Sequence, residues 1–237
     1  MRGTLLNTAT VAAGAAVGLA VGRAIPTAFQ DVALNGLGLV TVGLAVRMVL
    51  KGKNPLIAAV AIAVGGVLGL ALGIHAGIEA VADWSRQRLG GGETGRFAQG
   101  VVTSFVLFCV GPMTLLGCLQ DALERKIDLL SVKSTMDGIA AVFLAAAMGA
   151  GVLLTAVLVL VFQGTLTLAA RPLRSLAEDA DALDETSGTG GAILLATGIG
   201  LIGLKDLHTA NYLPAIFLAP ALANVTRRLT KPKEVLA

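Results

Sequence analysis

The sequence predicts an all-α fold, a polytopic bundle of six to seven transmembrane helices forming one membrane domain over residues 1–237. Hydrophobic residues make up 55% of the 237 positions and charged residues only 14%. Ordinary soluble domains carry about 25% charged residues. The mean hydropathy of +0.82 points the same way. A chain of this composition is expected to lie in a lipid bilayer.

The spacing of glycines supports the same fold. Two sets recur every four residues, namely Gly14, Gly18 and Gly22, and then Gly65, Gly69, Gly73 and Gly77. Residues four apart share one helix face. Each such glycine costs about 1 kcal/mol relative to alanine in a helix in water, but in lipid the helix is obligatory and small residues let helices approach closely. We expect the second set to contact another helix, and specifically the first span.

Three apolar segments fill the first third of the chain. The first span is Thr4–Gly22. A signal peptide is the alternative for this segment, but its glycine spacing and the lack of a clear cleavage site favour retention. The second span is Ala33–Leu50. The third, Pro55–Ala82, is long enough to tilt or to extend beyond the bilayer.

The remaining apolar segments are less regular. Gln99–Leu119 is the fourth span. Asp137–Ala170 is too long for one simple span and too short for two with a loop. Two short spans follow at Gly190–Leu204 and Leu213–Val225. The polar connections predicted as loops or exposed segments are Trp84–Phe97, Asp121–Lys133 and Arg171–Gly188.

The fourth segment contains Gly111-Pro112 near its middle. Proline removes one helical hydrogen bond and clashes with the preceding turn, and glycine adds backbone freedom beside it. The pair predicts either a plain proline kink or one broken or re-entrant element, whose free backbone groups are tolerated only inside the protein or along a cavity.

A weak internal similarity suggests a three-helix repeat. Aligning Asn54 with Asn211 places Val42-Gly43-Leu44 on Ile199-Gly200-Leu201. The repeat units would be residues 4–82 and 137–225, joined by the broken segment 98–120. They would be parallel if that segment crosses the membrane and inverted if it turns back. Repeats of this kind are typical of transporters, with the site at the repeat interface.

Four short motifs resemble a known family. They are Gly3-Thr4-x-x-Asn7, the run Phe-Cys-Val-Gly-Pro-Met at 108–113, Lys133-Ser134-x-x-Asp137-Gly138, and Ala210-Asn211-x-Leu213-Pro214-Ala215. Together they resemble the bacterial membrane family typified by YdfK and YqgA, a domain-of-unknown-function family (family 554). The resemblance spans essentially the whole chain, although Ala122 stands where a glycine is expected. It implies a multi-pass protein of the bacterial cytoplasmic (inner) membrane and no particular activity.

Ionisable residues in apolar segments are functional candidates because they are costly in a membrane. His75, Glu79 and Asp83 lie four apart and could relay protons or bind a cation, or could mark a helix leaving the membrane. Asp137 follows Lys133 by four residues, which indicates a helix-start cap or a local ion pair.

The candidates for a substrate pathway are the residues at the helix break and the polar residues and links that could meet it. They are Asn7, Asn35, Gly111, Pro112, Met113, Asp137, Asn211 and Pro214. Half-helix ends present partial charges that can bind an ion or polar solute. We therefore expect these residues to line a central polar cavity.

Enzyme signatures are missing from the sequence, which favours a non-enzymatic protein without a cofactor. Neither metalloprotease, serine-hydrolase nor nucleotide-binding motifs occur in a suitable context. Cys109 and Cys118 have no zinc-ligand spacing, so no metal is expected. The net charge of +3 comes without a basic, aromatic-rich stripe, so no nucleic acid is expected. The partners expected are the bilayer, an unknown solute and a second copy of the chain.

Three function classes remain open, an intramembrane enzyme being the last of them. The first is a transporter or channel for a small solute or ion, not driven by ATP on its own. The alternative is a non-catalytic membrane subunit or scaffold that acts through helix–helix assembly. The basic tail, with Arg227, Arg228, Lys231 and Lys233, predicts a cytoplasmic C-terminus.

Overall fold

The computed structural model describes residues 1–89, 94–171 and 179–230, and this part of the chain is built from helices without strands. Its helices are α1 (Arg2–Gly22), α2 (Thr27–Val49), α3 (Pro55–Ala71), α4 (Ile74–Leu89), α5 (Thr94–Cys109), α6 (Pro112–Leu123), α7 (Asp128–Met148), α8 (Gly151–Leu168), α9 (Ala180–Leu201) and α10 (Ala215–Thr230), with a 3₁₀ turn at Thr209–Tyr212.

The predicted membrane bundle is confirmed. Four helices, α1, α2, α7 and α8, are long and apolar enough to span a membrane. The pairs α3–α4 and α5–α6 are bent by 48° and 61°, and each pair can count as one further span, which gives up to six. Buried apolar side chains from helices throughout the chain form a central core, including Val11, Phe108, Leu144 and Ile193.

Small residues bring α1 and α7 into close contact. A Cβ atom added at a glycine of α1 would overlap a backbone carbonyl of α7, and the pairs are Gly14 with Gly138, Gly18 with Val142, and Gly22 with Ala146. The numbers rise together, so the two helices run in the same direction. Near the start of both helices, Gly3 lies against Leu130.

The second glycine set packs against a different partner from the one predicted. A Cβ atom at Gly65 or Gly69 would overlap Ala215 or Asn211, beside the 3₁₀ turn and the start of α10. The first span was the wrong partner, because its glycine face already packs against α7. The intrachain helix contact itself is present.

The third predicted span, Pro55–Ala82, is not one straight helix. Helix α3 ends at Ala71, and Gly73 takes φ +63°, a left-handed conformation that favours glycine. A Cβ atom at Gly77 would meet nothing within 4 Å. The four regularly spaced glycines therefore have different roles. Gly65 and Gly69 pack against another segment, Gly73 allows a turn, and Gly77 faces open space.

The fifth predicted region separates into two helices. Helix α7 begins at Asp128, well before the predicted start at Asp137, and α8 follows a tight turn at Gly149, where φ is +83°. A left-handed glycine lets the chain reverse without a longer loop, which is why the region was too short for the loop that we assumed.

Two of the connections predicted to be polar loops or exposed segments are helical over much of their length. Trp84–Leu89 belongs to α4, and Ala180–Gly188 belongs to α9. The side chain of Asp179 caps α9 by accepting hydrogen bonds from the backbone N–H groups of Asp181 and Ala182 at 3.1 and 3.3 Å. Residues 90–93 and 172–178 of these connections lie outside the described residues.

The broken pair α5–α6 connects opposite ends of α7. At its start, Phe97 packs against Gly151, just beyond the end of α7. Near its other end, the Asp121 carboxylate accepts a hydrogen bond from the backbone N–H of Gly3 at 2.9 Å, and Gly3 contacts the first turn of α7. The segment therefore crosses the bundle. The internal repeat and the cytoplasmic C-terminus stay predictions.

Candidate functional site

A buried ion pair lies in α7. Lys133 Nζ donates a hydrogen bond to Asp137 Oδ2 one helical turn away, and the two residues are only 6% and 7% exposed. Asp137 is the tenth of the 21 residues of α7, about 14 Å along the axis from the start of the helix. Charges buried in a membrane helix are costly and must be paired. Sequence reasoning found the pair but expected Lys133 in an exposed segment.

Asn7 of α1 completes this pair across the helix interface. Its Nδ2 donates to Asp137 Oδ2 at 3.0 Å, and Asn7 is fully buried. The close approach of α1 to α7 at Gly14 and Gly138 brings the two side chains within reach. The Oδ1 atom of Asn7 has no hydrogen-bond partner among the described residues. We call Asn7, Lys133 and Asp137 the ion-pair network.

Helix α8 contributes a buried amide at the same level. Thr4 and Thr167 share a hydrogen bond between their hydroxyl groups at 3.0 Å, which joins α1 to α8. The two helices run in opposite directions, so Gln163, one turn before Thr167, lies level with Asn7, one turn after Thr4. Gln163 is fully buried, and neither its Oε1 nor its Nε2 has a partner in the described part of the chain.

Asp121 is a further buried carboxylate, at the start of α1. It is 5% exposed, and its Oδ2 lies 2.9 Å from both the backbone nitrogen of Gly3 and the terminal nitrogen of Met1. A carboxylate at a helix N-terminus is stabilised by the partial positive charge there. The exposed segment predicted at Asp121–Lys133 is therefore wrong at both ends, because α6 and the first turns of α7 pack against α1.

The helix break at Gly111-Pro112 is present and buried. Gly111 has φ +131°, between the last residue of α5 and the first residue of α6. Thr114 Oγ1 donates to the Phe108 carbonyl oxygen at 3.3 Å, so a carbonyl freed by the break has a side-chain partner. Met113 is half-buried, and the side chain of Pro112 lies outside the described structure.

The other sequence candidates lie apart from this network. Asn35 is exposed on α2 and lines a cavity of about 240 Å³ that Arg96 also lines. The Oδ1 atom of Asn211 accepts a hydrogen bond from the backbone N–H of His75 at 3.1 Å. Pro214 is half-buried just before α10. The structure thus joins Asn7 to Asp137 and leaves Asn35, Asn211 and Pro214 near the other end of the bundle. The pathway role of these residues stays a prediction.

Several polar residues of the site were not among the candidates. Gln163 is the one amide side chain in α8, whose other residues are apolar residues, glycines and threonines, so its position in the sequence could have identified it. Asp121, and the burial of Lys133, were obscured by neighbouring charges that are exposed, such as Glu124 and Lys126. His75 and His208 have ring centroids 4.6 Å apart, and nothing local in the sequence connects residues so distant along the chain.

Comparison with known proteins assigns the chain to a family. The family described as "Protein of unknown function (DUF554)" matches residues 2–224. The chain belongs to the DUF554 family. It is 28% identical over 227 residues to "Uncharacterized membrane protein YdfK" of Bacillus subtilis (strain 168), covering 94% of the chain and 95% of that protein. No solved structure matches the chain.

A second relative agrees with this assignment. The DUF554 chain is 26% identical over 225 residues to "Uncharacterized protein YqgA" of Escherichia coli (strain K12), covering 93% of the chain and 95% of that protein. The ion-pair network and the helix break both lie inside the region that the family matches. The resemblance found in the motifs is therefore confirmed, and the chain is a membrane protein.

Chemically, the ion-pair network of this DUF554 chain is a carboxylate held by one ammonium and one amide donor. Removing either charge, or protonating the Asp137 carboxylate, leaves the other charge unbalanced, and a second cation could take the place of Lys133 beside Asp137. Within the described residues no group of three His, Cys, Asp or Glu side chains could hold a metal ion. The network suits exchange of a proton or a small charged solute.

Proposed function

We propose that this DUF554 chain is a transporter or channel for a small solute or ion in the bacterial cytoplasmic (inner) membrane, and that ATP does not drive it directly. The observation that carries the proposal is the buried ion-pair network, with Asp137 at the tenth position of a 21-residue membrane helix. Ionisable residues at such positions typically mark ion or substrate pathways.

The surroundings of the network support a pathway over a purely structural pair. A structural pair is best stabilised when every polar atom around it is bonded. Here Asn7 Oδ1 and both amide atoms of Gln163 are buried without partners among the described residues. The Asn7 Oδ1 atom beside the charge pair, and the Gln163 amide on α8, offer hydrogen bonds to a passing solute or to water.

The helix break adds a second supporting feature. Broken membrane helices are used by transporters to present backbone groups to a substrate. The break at Gly111 is buried in the bundle interior, where free backbone groups are tolerated only against protein or a cavity. Neither feature requires a cofactor or an enzymatic reaction.

Flux through liposomes that contain only the purified chain tests the proposal. Protons, rubidium, acetate and butylammonium are followed separately, with empty liposomes as the background. We expect at least one flux above background, and we expect Asp137→Asn to reduce it at least tenfold. Asp128→Asn, an exposed carboxylate on the same helix, is the matched control and should leave flux unchanged.

Two results would overturn the proposal. One is background flux for all four solutes from protein that is folded and monodisperse after extraction. That result favours the alternative function, a non-catalytic membrane subunit that assembles with a second copy or another protein. The other is a flux that Asp137→Asn leaves at the wild-type rate, since the ion-pair network then plays no part in it.

A further inference from the structure

A separate polar cavity lies near the other end of the bundle from the ion-pair network. It has a volume of about 430 Å³, and its polar lining includes His75, Glu79, Gln99, Thr103, Thr197 and Asp206. These residues come from the start of α4, the first turns of α5, the end of α9 and the link that follows α9. We call this space the histidine cavity.

His75 is a buried ionisable side chain in the lining of the histidine cavity. It is 6% exposed, and neither ring nitrogen has a hydrogen-bond partner in the described structure. Its Nε2 lies 3.3 Å from Glu79 Oε1, without the alignment of a hydrogen bond. Buried polar atoms are normally bonded, so an imidazole left open beside a cavity indicates a ligand partner.

The fold holds the His75 ring in place from two sides. The backbone N–H of His75 donates to Asn211 Oδ1, which caps the first turn of α4. The ring of His208 packs edge-on against it, with the ring planes at 86°. His208 itself has φ +48°, a conformation that is uncommon for a residue with a Cβ atom. Two residues behind the cavity wall, His208 and Asn211, therefore hold His75 in position.

The charge of the lining favours a cation. Glu79 and Asp206 carry carboxylates, and no lysine or arginine is among the described residues that line the cavity. The closest basic side chain on α5 is Arg96, which pairs with Asp31 at 3.4 Å. Carboxylates facing a shared cavity attract a positive ligand, and each then stabilises it further.

The size and lining favour an organic cation over a bare metal ion. The described residues provide no metal-binding group of three ligands, and about 430 Å³ is far more space than one ion fills. Ala98, Val102 and Ala196 add apolar surface. Hydroxyl and imidazole groups beside the carboxylates can accept hydrogen bonds from an ammonium group.

We propose that the histidine cavity binds a small organic ammonium ion, with Glu79 and Asp206 opposing its charge and His75 accepting a hydrogen bond from it. The hydrocarbon part of the ligand lies against the apolar lining. If the chain is a transporter as proposed above, a small organic ammonium ion is its solute class. Only this assignment of a transported solute rests on the proposed function. Binding at equilibrium does not require flux.

The test is equilibrium binding of butylammonium to the purified full chain in detergent, measured by calorimetry. Butanol, of similar shape but without charge, is the matched ligand control. We expect saturable binding of butylammonium and none of butanol. Glu79→Gln and Asp206→Asn should each weaken binding about tenfold or more, about 1.4 kcal/mol per tenfold step. Asp128→Asn, an exposed carboxylate on α7 outside the lining, should bind as the wild type does.

Equal binding of butanol and butylammonium would overturn the proposal, as would no binding of either ligand. Wild-type affinity in the Glu79→Gln, Asp206→Asn double variant would also overturn it. Failure here is distinguishable from failure of transport. Charge-dependent binding without any flux leaves the cavity as a ligand site and removes the transport function. Flux of another solute without butylammonium binding keeps the transport function and removes the proposed ligand site.

Discussion

Gly18 offers a sharp test of the packing between α1 and α7. Replacing Gly18 by alanine adds one methyl group where a Cβ atom would overlap the Val142 carbonyl oxygen and lie 2.9 Å from Ala145 Cβ. Backbone atoms and a methyl on a packed helix cannot rotate away, so the helices must separate. Overpacking of this kind costs about 1–3 kcal/mol.

A matched substitution in α2 should have the opposite sign. A Cβ atom at Gly43 would meet nothing within 4 Å, so Gly43→Ala adds no clash. It keeps only the gain in helix propensity, up to about 1 kcal/mol. At its full value the same gain offsets part of the clash at Gly18, which leaves a net loss of up to about 2 kcal/mol there.

Thermal unfolding in detergent measures both effects on the same scale. For a chain of this size, 1 kcal/mol shifts the Tm by about 2–4 °C. We therefore expect Gly18→Ala to lower the apparent Tm by up to about 8 °C and Gly43→Ala to leave it unchanged or raise it. Equal shifts for the two variants would refute the close packing of α1 on α7.

Three further predictions concern polar contacts. Lys133→Met leaves the Asp137 carboxylate buried without its ion-pair partner, and Asp137→Asn does the same to the Lys133 ammonium. Each single variant should lose about 3–5 kcal/mol of stability. The double variant should recover part of that loss in the same thermal assay. Thr114→Val leaves the carbonyl freed at the end of α5 without its donor and should cost about 1–3 kcal/mol, whereas Thr114→Ser should cost less. Lys53 lowers the pKa of Asp181 by a hydrogen bond and by its charge, so the stability from this exposed pair is present above the ordinary aspartate pKa and disappears as the pH falls through the lowered value. At neutral pH, Asp181→Asn should lower the Tm slightly, and this difference from the wild type should vanish below the lowered pKa of Asp181. Persistence of the difference in acid would contradict a stabilising ion pair between Lys53 and Asp181.

The sequence predicted most of the helices because long apolar segments have few alternatives in a membrane. It also predicted the break at Gly111 and the costly residues Asn7 and Asp137, since proline chemistry and burial cost are local properties. It did not predict the break at Gly73. A glycine can serve close packing or a positive φ, and spacing alone does not distinguish the two.

The remaining errors come from tertiary contacts. The polar stretch that begins α9 is helical and largely buried because Glu185 Oε1 accepts the backbone N–H groups of Lys53 and Asn54 at 3.0 and 2.8 Å. Those donors are more than 130 residues away in the chain. Likewise, Asn211 was placed with the helix break, but it caps α4. The composition of a segment shows how polar it is. It does not show which distant backbone groups form hydrogen bonds with its polar side chains.

The ion-pair network and the histidine cavity are separated in the described conformation. Gln99 and Thr103 carry the histidine cavity into the first turns of α5. Between Thr103 and the break at Gly111, the residues of α5 are apolar except Ser104, whose hydroxyl is bonded to Thr155 at 2.6 Å. A solute in the cavity therefore faces a packed apolar section before it reaches the ion-pair network. Transport between the two regions would require α5 and α6 to move relative to one another, and the backbone at Gly111 is the point where the helix is already open to that change.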